Sequence, residues 1–68
     1  MANTYKKALK TVVFTLVDGS TVTATDTVSN AAGSEAYGMY KAKSFIVVQG
    51  DSSFTEFHFD MVVKAVVT

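Results

Sequence analysis

The sequence has no cysteine, no proline and no arginine, and a single histidine, His58. Without cysteine there are no disulfides and no thiolate metal sites, and one imidazole leaves too few ligands for a structural zinc ion. Without arginine the chain lacks the planar fork that suits phosphates and base edges. Six basic residues balance six acidic ones for a formal net charge of zero, whereas nucleic-acid binders normally carry a clear basic excess. Without proline, the edges of any sheet lose one of the usual guards against edge-to-edge pairing. No run is long and apolar enough for a membrane-spanning helix. Residues Met1 to Val17 begin basic and become apolar, but Lys10 interrupts them and a turn follows where a cleavage site would stand. The expectation is a cytoplasmic protein with no membrane partner.

What remains is a chain of 68 residues that is 49% hydrophobic, read as one small domain over 1–68. A chain of this size buries only about 60% of the surface its unfolded form exposes. Its core then supplies roughly 3–5 kcal/mol, and such domains usually add disulfides, a metal or oligomerisation. With the first two removed, self-association into a homodimer or a higher symmetric oligomer is the expectation.

Along the chain, Tyr5, Ala8, Leu9, Val12 and Val13 keep helical spacing, while Thr11 to Val17 is β-branched. This predicts a short helix around Thr4 to Lys10 leading into a first strand. Asp18-Gly19 between that strand and Thr21–Thr25 is a strong hairpin signal, because the turn needs positive φ at its centre. From Val28 to Lys43 the alternation stops. Ala32, Ala36, Met39 and Tyr40 share one helical face, with Glu35 early and Lys41 and Lys43 late, as a helix dipole prefers. Gly33 and Gly38 oppose a helix by about 1 kcal/mol each. The segment is read as a short helix from about Ser34 to Ala42, or as a loop. Ser44 to Val48 reads as a buried strand and Gln49 to Ser53 as a second turn. A closing strand from Phe54 to Thr68 then carries Phe57, Phe59, Met61, Val63, Ala65 and Val67 on one side. The pattern predicts an α+β fold: a small antiparallel sheet of about four strands (ββ-α-ββ) with a short N-terminal helix and a short central helix or loop. A small open β-barrel is the alternative.

Few constellations carry chemistry. Glu56, His58 and Asp60 point the same way from one strand, but strand neighbours on one face are about 6.5–7 Å apart, too far for all three to hold one ion. The row reads as a hydrated strand face. No serine sits in a G-x-S-x-G elbow and no glycines form a phosphate loop, so neither catalysis nor a cofactor is expected. Tyr37-Gly38-Met39-Tyr40-Lys41-Ala42-Lys43 is more suggestive: aromatics can stack, lysines can hold an anion as point charges, and methionine adapts to a partner. Tyr37, Tyr40, Lys41 and Lys43 are the candidate ligand-binding residues. The closing strand turns mostly apolar at its C-terminal half, which with the central segment makes Val62, Val66 and Met39 the candidate interface.

Val12-Val13-Phe14-Thr15-Leu16-Val17-Asp18-Gly19 resembles the opening of Sm-like RNA-binding proteins, as does Phe45-Ile46-Val47-Val48 followed by a polar turn and Val62-Val63-Lys64-Ala65-Val66-Val67. The resemblance implies a ring built by strand pairing between subunits. The chain departs from it at Ala24 or Thr25, where a bend glycine belongs, in the long segment Asn30 to Lys43, and in the missing basic RNA-contacting motif, so no binding residue is carried over. The leading reading is a non-catalytic, homo-oligomeric protein–protein interaction module such as an inhibitor, adaptor or structural subunit. A small-ligand or nucleotide binder with its site at the subunit interface comes second, and an Sm-like RNA binder third. The partner is thus a second copy, another protein or a small anionic ligand, with nucleic acid disfavoured.

Overall fold

A computed structural model of the chain describes residues 9–49 and 53–68. Strands β1 (Thr11–Leu16) and β2 (Thr21–Thr25) are followed by helix α1 (Ala32–Lys41). Strands β3 (Phe45–Gln49) and β4 (Phe54–His58), a 3-10 turn (Phe59–Met61) and strand β5 (Val62–Val67) complete the order. They build an α+β fold of two antiparallel sheets, one ordered β2-β1-β5 and the other β3-β4. The ββ-α-ββ pattern expected from the sequence is therefore present, with five strands among the described residues instead of about four and no closed barrel. The helix expected around Thr4 to Lys10 lies mostly outside the described residues, and Leu9 and Lys10 belong to no regular element. Gly50 to Ser52, the middle of the expected second turn, also lie outside them. No helix among the described residues is long and apolar enough to cross a membrane.

The first hairpin forms where Asp18-Gly19 predicts it, by a different turn. The Gly19 N–H donates to the Leu16 carbonyl at 2.9 Å and the Leu16 N–H to the Ser20 carbonyl at 2.8 Å. Of the residues in this turn only Gly19 has positive φ, at 90°. Val17 and Asp18 thus occupy the centre of an ordinary turn and Gly19 follows it in the left-handed region, the geometry of a three-residue loop. Asp18 Oδ1 accepts from the Ser20 hydroxyl at 2.6 Å and the Ser20 N–H at 3.0 Å. Those two bonds, the hydroxyl's first, hold the Asp18 carboxyl below the usual carboxylate range.

The closing strand is where sequence and structure part most. It divides at Phe59–Met61: β4 pairs with β3, with Ile46 opposite Phe57, and β5 pairs with β1, with Phe14 opposite Ala65. A bulge between Thr15 and Leu16 leaves Val63 as the extra residue on β5, since Leu16 faces Val62 and Thr15 faces Lys64. The single inward row from Phe57 to Val67 is therefore interrupted twice. Val62 packs against the core, and Val63 is 66% exposed.

The core joins both sheets through Val12, Phe14, Ala24, Ala36, Ile46, Val48 and Phe57. Phe14 is fully buried and touches Tyr40 and Phe57 edge-on, with ring centroids 5.8 and 5.4 Å apart. One side chain thereby ties β1 to the helix and to the second sheet. The outer face of the three-stranded sheet carries Thr11, Thr15, Thr21, Thr23 and Thr25 beside Val13, Lys64 and Val66. Threonine keeps the β-branched preference for strands while leaving a hydroxyl for water.

Helix α1 starts without a cap of its own, since Ala31 at its N-cap makes no side-chain bond. Asp26, 2% exposed, takes that part from the end of β2. Its carboxylate accepts from the Ser34 N–H at 2.8 Å, the Ser34 hydroxyl at 2.7 Å and the Lys10 N–H at 3.2 Å. Gly33 lets the helix lie this close, because a Cβ there would stand 2.8 Å from the Lys10 carbonyl oxygen and 2.9 Å from that of Ala24.

Candidate functional site

The C-terminal end of α1 stops in a defined way. The Lys43 N–H donates to the Tyr40 carbonyl at 3.1 Å and the Ser44 N–H to the Met39 carbonyl at 3.2 Å. With Ala42 as C-cap, these are the two bonds of a Schellman closure. The left-handed residue such a closure requires is usually glycine; here it is Lys43, with φ 58°. A side chain in that region costs roughly 1–2 kcal/mol. Lys43→Gly is therefore expected to stabilise the fold by about 0.5–1 kcal/mol and raise its Tm by a few degrees. Thermal melting by circular dichroism checks this, and an unchanged or lower Tm contradicts it.

The closure aims Lys43 at a cleft of about 380 Å³ lined by Tyr40, Lys41 and Lys43 from the helix end and by Phe59, Asp60 and Val62 from the 3-10 turn and β5. Three of the four ligand candidates thus meet on one surface. The fourth, Tyr37, supports it: its ring stacks on Tyr40 with centroids 6.2 Å apart, and the Lys41 ammonium sits 4.8 Å from its centre. Phe59 is not among the sequence candidates, because its place in an alternating run suggests a core strand. By the same alternation Asp60 falls in a row with Glu56 and His58. In the structure Asp60 belongs to the turn and its Oδ1 lies 2.9 Å from His58 Nδ1, so those two pair while Glu56 stays on the strand. The His58 ring contacts Phe45 and Phe59, each with centroids 5.0 Å away. Among the described residues no three acidic or imidazole groups gather as metal ligands.

The interface candidates fall into two groups. Met39 is half-buried, and its Sδ accepts the Val47 N–H at 3.3 Å, filling the β3 edge beside the helix. Val62 packs on the core and lines the cleft. Val66 is 43% exposed, opposite Val13 on the outer face of the three-stranded sheet.

Hydrogen bonding decides which way the β5 backbone points. Thr11 and Thr68 exchange N–H···O bonds of 3.0 and 2.9 Å, so Thr68, Val66 and Lys64 address β1, and Ala65 and Val67 address the opposite edge. No described strand pairs with that edge. No family model, curated protein or solved structure matches this chain, so the resemblance to Sm-like proteins gains no support from these comparisons.

Proposed function

We propose that the protein works without catalysis, as a self-associating protein–protein interaction module in which two copies join along β5. The outward-facing backbone of Ala65 and Val67 on an edge strand without proline carries this reading. Such an edge is a template for another strand, and the chain has no disulfide to reinforce its small core.

The register follows from the bulge and from charge. Val63 disrupts the ladder, so the regular pairing runs from Lys64 to the end of β5 and on to Thr68, which bonds Thr11, with Val66 at its middle. A two-fold axis there sets Ala65 against Val67 of the second copy, Val66 against its own mate and Lys64 against Thr68. A shift to an axis at Lys64 would oppose like charges, which is unfavourable. The product is a continuous six-stranded sheet with β2 at both ends.

Sedimentation velocity tests this directly. The protein is expected to be a dimer in the micromolar range. Val66→Asp, which places two carboxylates opposite each other, is expected to be monomeric with an unchanged far-UV spectrum. A wild-type protein that stays monomeric at on the order of 100 µM would sink the proposal.

A further inference from the structure

We infer that the cleft between the C-terminal end of α1 and the Phe59–Met61 turn binds a small flat aromatic phosphate ester. Its volume of about 380 Å³ lies within the roughly 300–1,000 Å³ of small-molecule sites. The walls divide by chemistry. Tyr40, Phe59 and Val62 offer aromatic and aliphatic surface for a ring, and Lys43, with Lys41 whose ammonium rests on the Tyr37 ring, supplies positive charge for an anion.

Charge decides the sign of the ligand. Among the described residues neither lysine has a carboxylate within ion-pair distance, and the one carboxylate in the cleft, Asp60, is engaged by His58. The helix C-terminus contributes only about half a negative charge. Part of that is quenched because the Met39 and Tyr40 carbonyls accept from Ser44 and Lys43. The two lysines therefore outweigh the single Asp60 carboxylate and the partly quenched helix end, and the cleft is net positive. The free lone pairs of Asp60 remain as acceptors for an N–H or O–H on the ring, which favours a polar heteroaromatic over a plain hydrocarbon.

The site is also held in place. Tyr40 is braced by an edge-on contact with Phe14 and by stacking on Tyr37. Lys43 keeps φ 58° where glycine would be easier. A lysine held in a strained backbone position and lining a cleft fits a binding role for its side chain. Lys43→Gly therefore separates the two demands: it relieves the backbone and removes the ammonium.

The test is a titration of ¹⁵N-labelled protein with 1-naphthyl phosphate, followed by amide chemical shifts, with inorganic phosphate and 1-naphthol as separate arms. Saturable shifts are expected at Lys41, Lys43 and Phe59 to Val62, with Kd on the order of 1 mM or tighter. Each half-ligand should bind at least about tenfold more weakly. Lys43→Gln and Lys41→Gln should each weaken binding about tenfold, the loss of one charge-assisted bond. Lys10→Gln, an exposed lysine beside the start of α1 and outside the cleft, should leave it unchanged, and the spectra themselves report whether each variant is folded. Shifts that never saturate, that centre on Phe45 and Phe54, or that survive both cleft substitutions would overturn the assignment. This outcome is independent of the oligomeric state, since all six lining residues come from one chain.

Discussion

Asp26→Ala is expected to destabilise the protein by about 3 kcal/mol, lowering its Tm by roughly 12–24 °C. The carboxylate is 2% exposed and ties three points together: the Lys10 N–H ahead of β1, and the N–H and hydroxyl of Ser34 in the first turn of α1. Hydrogen bonds to a charged group contribute about 1.5–3 kcal/mol each, and removing the acceptor also takes it away from three partly buried bonds at once. A core worth roughly 3–5 kcal/mol cannot absorb such a loss and stay fully folded near physiological temperature. Asp26→Asn keeps an acceptor oxygen and should recover about half of the effect. A cap installed at the helix itself, Ala31→Ser, should restore no more than about 1 kcal/mol to the alanine variant, because it cannot reach Lys10. Thermal and urea melts read all three. A Tm for Asp26→Ala within a few degrees of the parent would show that the helix start does not depend on this carboxylate.

Asp26 also marks a limit of the sequence pattern. In Thr-Asp-Thr between a strand and a loop it looks like any solvated acid, and its partners lie eight and sixteen positions away. One signal is present: no side chain at Ala31 can cap α1, so the cap has to come from elsewhere. The hairpin at Asp18-Gly19 and the buried side of the helix are legible because each rests on local chemistry, a glycine that accepts positive φ and apolar residues repeating with the helical turn. The division of the closing strand is not. Phe59-Asp60-Met61 continues the same apolar–polar–apolar rhythm through a turn, and a bulge at Val63 shifts the phase again, so a period of two persists where the strand does not. Of the cleft, the helix side is legible as an aromatic and basic cluster. The opposite wall is hidden for the same reason as the turn that forms it.

The two glycines of α1 provide a test in which one substitution takes opposite signs on one helix. Both count against a helix by propensity, at about 1 kcal/mol each relative to alanine. Gly38 is exposed, and a methyl added there would have nothing within 4 Å. Only propensity acts at that position, and Gly38→Ala should stabilise by about 0.5–1 kcal/mol. At Gly33 the methyl would meet the Lys10 and Ala24 carbonyl oxygens at 2.8 and 2.9 Å and Asp26 Oδ1 at 3.1 Å. Two of those atoms are backbone of the strand ends the helix rests on, so relief requires the whole first turn to lift. Lifting it stretches the Ser34–Asp26 bonds, and the damage extends beyond the overpacking cost of typically about 1–3 kcal/mol. Gly33→Ala is expected to lose about 2–3 kcal/mol net of its propensity gain, or roughly 8–24 °C in Tm. The ordering of the melts, Gly38→Ala above the parent and Gly33→Ala well below it, is the decisive readout. If both variants rose together, the close approach of α1 to β1 and β2 would not be a feature of the folded protein. In the Asp26→Ala background the two losses should overlap instead of adding, because both act by detaching the same helical turn from the same strand ends.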